Sequence, residues 1–189
     1  MATAVICEFN PFHNGHKYLL ESAKNVLKEP VIAIMSGSFT QRGEVAVCDK
    51  FVRAKSALEN GADLVLELPV VFSLSGAEGF AKAGVAIASA FECTNHLAFG
   101  SESGDCELLK KSANAVCDER VQALVRDGMK NGGYYPRELE NAVKTVFGDE
   151  ISSVLCEPNN ILGVEYIKAL NGTGVEPFSV ARTGVAHDS

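Results

Sequence analysis

Two histidines, His13 and His16, stand three residues apart in "FNPFHNGH", with Asn14 and Gly15 between them. The whole chain carries 4 histidines in 189 residues, so two of them in one short segment ask for a chemical reason. The run "TAVIC" precedes them, and Tyr18, Leu19, Ser22, Ala23 and Val26 follow at helical spacing. The pair therefore sits where a buried strand passes into a helix. Three roles suit imidazoles placed there. As donors they hydrogen-bond phosphate oxygens, more strongly as negative charge develops in a transition state. As ligands, H-x-x-H supplies two contacts to a metal, but no third ligand stands nearby. As caps they tie down a turn. Gly15 permits a tight turn or close backbone approach. The following helix start offers free N–H groups and a positive dipole end to an anion.

The elements around this junction alternate. Residues 3–8 read as a first strand, apolar enough to be buried on both faces. Residues 16–28 read as a helix, "PVIAIMS" as a second strand and residues 49–60 as a helix, capped by Asp49 and ended by Gly61. "ADLVLELP" reads as a third strand, stopped by Pro69. Residues 75–91 read as an Ala/Gly-rich helix able to pack closely on a sheet, and "NHLAFGS" as a fourth strand ended by Gly100. Strand and helix alternating at this spacing predict βαβ units, a parallel sheet and right-handed crossovers that cover both faces. Residues 105–147 are mainly helical and more charged, broken by "NGGYYP", and predict a helical insertion of about 105–150. "EPNNILGVEYIKAL" adds a helix and "EPFSVAR" a last strand. In such sheets ligands bind at the carboxyl ends of the strands, where strand order reverses, and the Phe9–Gly15 loop belongs to that edge.

Composition bounds the function. A hydrophobic content of 47% supplies a core, and a net charge of -7 argues against broad coating of nucleic acid. The 6 cysteines are scattered singly, without CxxC or zinc spacing, and read as reduced, buried thiols rather than a disulfide framework. The start lacks a basic leader, and no apolar stretch reaches the roughly 18 residues that span a bilayer. The expectation is a cytoplasmic protein without a membrane anchor; nothing indicates its oligomeric state.

"FNPFHNGH" resembles the HxGH signature of the HIGH-motif nucleotidyltransferases, enzymes that transfer nucleotidyl groups on a Rossmann-like sheet. "MSGSFTQRGEVAVCDKFVRAKSALENGADLVLELP", "FGSE", "PNNILGVEYIKAL" and "VARTGVAHDS" resemble, in order, successive blocks of the tRNA(Met) cytidine acetate ligase family. The resemblance covers nearly the whole chain. It implies an α/β, Rossmann-like doubly wound parallel sheet, with residues 1–189 forming the catalytic domain. It also implies a ligase that uses ATP, with Mg2+, to activate acetate as acetyl-adenylate. The acetyl group then passes to N4 of the wobble cytidine of elongator tRNA(Met), an RNA-binding, tRNA-processing role.

Residue by residue, the resemblance makes His13 and His16 catalytic contacts to the phosphates. Ile6, Cys7, Glu8 and Phe9 lead into the nucleotide site, Asn10, Pro11 and Phe12 form its turn, and Asn14, Gly15, Lys17, Tyr18 and Leu19 continue it along the helix. Gly100 then leaves room for base or ribose, and an Asn at 159 or 160 contacts ATP. For the residues themselves, Gly100 also suits a plain strand-ending turn, and either Asn an N-cap. Arg182 ends the last strand where a guanidinium grips phosphate. The polar loop after the second strand, with Ser36, Ser38, Gln41 and Arg42, is suited to acetate or the cytidine base. Lys50 and Arg53 share a helix face and suit phosphate, RNA or plain solvation. No metal ligand is assigned.

The family generally runs to about twice this length, with a second phosphate-gripping element and a C-terminal helical part that holds tRNA. Both are expected to be missing here, with Ala186 replacing a common aromatic. Alternatives are another HIGH-motif nucleotidyltransferase, acting on a phosphorylated small molecule, and a nucleotide-binding module without catalysis.

Overall fold

A computed structural model describes residues 1–182. The expectations for "TGVAHDS", Ala186 included, lie outside the described residues. The strands are Ala2–Cys7 (β1), Val31–Ser36 (β2), Leu64–Leu68 (β3), Thr94–Ser101 (β4) and Glu176–Ala181 (β5). They form one parallel sheet in the order β3-β2-β1-β4-β5. β1 is central and buried along its whole length. Chain order runs outward from β1 to β3, then resumes on the other side with β4. The reversal between β1 and β4 opens a crevice at their carboxyl ends, as such sheets require.

Alternation along β1 splits the core in two. Ala2, Ala4 and Ile6 face one layer with Phe80, Val85, Val164 and Tyr166. Val5 and Cys7 face the other with Leu20, Ala23 and Ala57. The first layer belongs to the helices Ala77–Ser89 (α4) and Pro158–Leu170 (α9). The second belongs to Asn14–Leu27 (α1) and Lys50–Glu59 (α2). The expected close packing of the Ala/Gly-rich helix is realised at Gly84, where an added Cβ would fall 2.5–2.9 Å from three Ile6 side-chain atoms.

The region expected to be a helical insertion forms Cys106–Cys117 (α5), Glu119–Lys130 (α6), Tyr135–Phe147 (α7) and Asp149–Ser153 (α8). It is not a separate body: Leu109, Ala113 and Val116 of α5 join the core under α4 and α9. The break at Asp118, whose carboxylate caps α6 by accepting from Arg120 N, was not anticipated; nor were α8 and the short helix Val70–Ser73 (α3). Three further expectations are corrected. α1 begins at Asn14, two residues early, because the His13 side chain caps it. Gly100 does not end its strand: it lies inside β4, paired with Val180. All 6 cysteines are free thiols, but only Cys7 is buried, while Cys93, Cys117 and Cys156 are exposed. Among the described residues no helix is long and apolar enough to cross a membrane.

Candidate functional site

The loop between β1 and α1 is anchored from below. Phe9 is fully buried at φ +48°, a left-handed conformation that costs a non-glycine residue about 1–3 kcal/mol. Its ring meets Phe12 edge-on at 5.0 Å and His16 at 4.9 Å. The two imidazoles stack at 3.6 Å, with planes 21° apart. They also close the helix. His13 Nδ1 accepts from Gly15 N at 3.1 Å, and His16 Nδ1 accepts from His13 N at 3.3 Å, a reciprocal capping box. Gly15 makes this possible, since a Cβ there would lie 3.0 Å from the His13 ring.

Two consequences follow. First, the helix start is less open than its sequence suggests: Gly15 N is taken by His13, and His16 N by the His13 carbonyl at 2.9 Å. Secondly, an Nδ1 that accepts carries no proton, so neutral His16 bears its hydrogen on Nε2 and is a donor there. His16 is held neutral. Burial, then His13, then the positive charge of Arg182 lower its pKa from 6.5 to about 3. The Arg182 contribution also places the end of β5 within electrostatic reach of the α1 tip.

Across the crevice the candidates from β4, α9 and β5 converge. Asn160 is buried, and its Oδ1 accepts from Ser103 N at 3.1 Å. Asn159 Nδ2 donates to Glu102 Oε1 at 2.6 Å. Neither asparagine is the N-cap of α9; Glu157 holds that position without a side-chain bond. Arg182 Nη1 lies 3.5 Å from Glu102 Oε1. A Cβ on Gly100 would stand 3.7 Å from Arg182 Cγ, an ordinary contact.

The second loop lies over β2. Ser38 and Arg42 are exposed, Gln41 is half-buried, and Ser36 is buried beneath them. Ser36 Oγ and Thr40 Oγ1 are buried hydroxyls without a hydrogen-bond partner among the described residues. Glu8 Oε1 accepts from Gln41 N at 2.5 Å, and Asn10 Oδ1 from Val47 N at 2.7 Å, which joins this loop to the first. Arg53 completes the join. It is 1% exposed and donates to the carbonyls of Cys48, Glu8, Ser36 and Gly37. It is therefore a structural pin and has no face for phosphate or RNA. Lys50 is engaged by Glu67 at 2.6 Å.

Of the other candidates, Ile6, Cys7 and Phe9 point into the core, which leaves their backbone for a ligand. Leu19 packs on the same core layer, while Pro11, Asn14, Lys17 and Tyr18 are exposed. Glu102 was not singled out from the sequence, nor was the part that Glu8 and Asn10 play in joining the two loops. Their partners lie 33–57 residues away, and no local spacing signals such contacts.

Two stacked imidazoles, His16 held neutral, and a nearby guanidinium stand where strand order reverses, an arrangement suited to polyphosphate. A family model described as HIGH Nucleotidyl Transferase matches residues 1–189. The chain belongs to this family. It resembles the tRNA(Met) cytidine acetate ligase of Caldanaerobacter subterraneus subsp. tengcongensis, at 42% identity over 194 residues, 100% of this chain and 48% of the relative. The Lysinibacillus sphaericus protein of the same name is 39% identical over 196 residues, with the same coverage. The crystal structure of Thermotoga maritima TmcAL bound with alpha-thio ATP superposes with a TM-score of 0.91 at 39% identity, covering 97% of this chain and 47% of that one. The chain thus spans about half the length of the curated relatives it matches.

Proposed function

We propose that this chain is the nucleotide-activating part of an ATP-dependent acetate ligase whose acceptor is the wobble cytidine of elongator tRNA(Met). The observation that carries the reading is the stacked His13–His16 pair at the α1 tip, where the two rings close the turn and His16 keeps Nε2 as its donor. Support comes from the relatives' names and from the alpha-thio ATP bound by the Thermotoga protein.

ATP fits the donor set as a substrate. His13 and His16 present N–H groups to the α-phosphate oxygens and stabilise the charge that gathers there as an acetate oxygen attacks phosphorus and pyrophosphate leaves. Because His16 is neutral and its Nδ1 is committed to the His13 backbone, Nε2–H is its one donor. Arg182 grips phosphate as a fork. Gly100 and the Asn160 region border the base and ribose. Ser38, Gln41 and Arg42, with Ser36 beneath, receive the acetate or the cytidine. The acyl group then moves to the cytidine amine, which loses a proton as AMP departs. Among the described residues no group of three or more His, Cys, Asp or Glu side chains could hold a metal ion, so magnesium would enter on the triphosphate itself. Residues 1–189 are taken as the catalytic domain. The reading gives the main tRNA-holding surface to the half of the relatives that this chain does not span, and a cytoplasmic setting follows from the acceptor.

Exchange of labelled pyrophosphate into ATP tests this. Exchange is expected only with acetate present, and His16→Ala should lower it about 100-fold or more. Exchange indifferent to acetate, or unaffected by the substitution, would contradict the proposal. ATP binding without any exchange would leave a binding module.

A further inference from the structure

Glu102 stands one residue beyond β4, yet its carboxylate gathers groups from the start of α9 and the end of β5. Oε1 accepts from Asn159 Nδ2 at 2.6 Å and from Asn159 N at 3.4 Å. Oε2 accepts from Asn160 N at 2.9 Å, and Arg182 Nη1 lies 3.5 Å from Oε1. Neighbouring bonds lock the same corner: Arg182 N donates to Ser101 O at 3.0 Å, and Ser103 N to Asn160 Oδ1 at 3.1 Å. Three residues given above to the nucleotide thus share one acidic side chain.

We propose that Glu102 is a positioning residue for the nucleotide's phosphates, holding Arg182 in its receiving arrangement without touching the ligand. The proposal rests on the nucleotide reading above. Arg182 is half-exposed and would lose side-chain freedom when it grips phosphate, a cost that a partner in the free protein removes beforehand. A separation of 3.5 Å is short enough for Coulomb attraction and too long for a strong hydrogen bond. The guanidinium donors therefore stay available to a stronger acceptor. Glu102 also takes up the first-turn N–H groups of α9, so that end of the helix serves to hold Asn159 and Asn160 rather than to bind an anion. Burial alone would raise the carboxyl's pKa. The Asn159 amide and the backbone N–H groups outweigh it and hold Glu102 below the ordinary carboxylate value, ionised at neutral pH.

The experiment measures dissociation constants of this chain for ATP and for adenosine, which lacks phosphate, in wild type, Glu102→Gln, Arg182→Ala and the double variant. Glu102→Gln should weaken ATP binding about fivefold and leave adenosine within about twofold. The double variant should bind ATP no more weakly than Arg182→Ala alone, because Glu102 acts through Arg182. Glu102→Asp, which keeps the charge with a shorter reach, should fall between wild type and Glu102→Gln, and it carries the test if Glu102→Gln does not fold. Wild-type ATP affinity in the variants, equal losses for ATP and adenosine, or additive losses in the double variant would overturn the assignment while leaving the nucleotide reading intact. A wild-type chain that binds no ATP would overturn both.

Discussion

The His16 ring packs against Phe9, Phe12 and His13, and its Nδ1 is committed to the His13 backbone. Protonation would end that acceptance. With a folded value of about 3 against 6.5, the unfolded chain takes up the proton first as acid is added. Stability is therefore full above pH 6.5 and falls as pH drops from 6.5 toward 3. The midpoint of urea unfolding should decline through that window, and His16→Gln, which cannot titrate, should decline less. Carboxylates with depressed values, Glu102 among them, add their own loss at lower pH, so the comparison with the variant isolates the imidazole. At this scale the sequence was readable where chemistry and spacing are local. His13 and His16 are three residues apart on one turn, and their capping role was visible there. Arg53 was not readable: its helical position is compatible with solvent, and only the fold brings Glu8, Ser36 and Gly37 carbonyls to its guanidinium.

Helix α4 sits on the sheet through small residues, and Gly84 is the tightest point. Its missing Cβ is replaced by Ile6, a core side chain 6% exposed and unable to swing away. Gly84→Ala should cost about 1–3 kcal/mol, measured by denaturant unfolding. Gly76→Ser should instead be neutral or slightly stabilising. Gly76 is the N-cap of α4, at φ -62° with no side-chain bond, and nothing lies within 4 Å of an added Cβ. The five strands and the main helices were legible because their apolar runs alternate at strand and helix spacing, several of them bounded by Pro, Gly or a capping acid. Asp49 accepting from Phe51 N is one such boundary. The ends of α1 and β4 were less legible. A histidine is an uncommon N-cap, and a glycine inside a strand looks like its end until the partner strand is known.

The whole molecule carries an uneven surface. The segments on either side of β3 in the chain expose Val45 (72%), Phe51 (73%) and Val71 (67%), with Val47, Val52 and Leu74 nearby in sequence. Large apolar side chains left in water promote association. Phe51→Gln combined with Val71→Lys should reduce light scattering in concentrated solution and change unfolding stability by no more than about 0.5 kcal/mol. The parallel sheet and the order of its helices were legible from alternation alone, whereas this exposure was not, since the same residues read equally well as core. One last feature bears on what such a molecule can become. The second loop is fastened through Cys48 O, Gly37 O, Gln41 N and Val47 N, all of them main-chain atoms. Its side chains carry none of those fastenings. Ser38, Gln41 and Arg42 can therefore be exchanged one at a time, and the loop's attachment to the rest of the fold should survive each change.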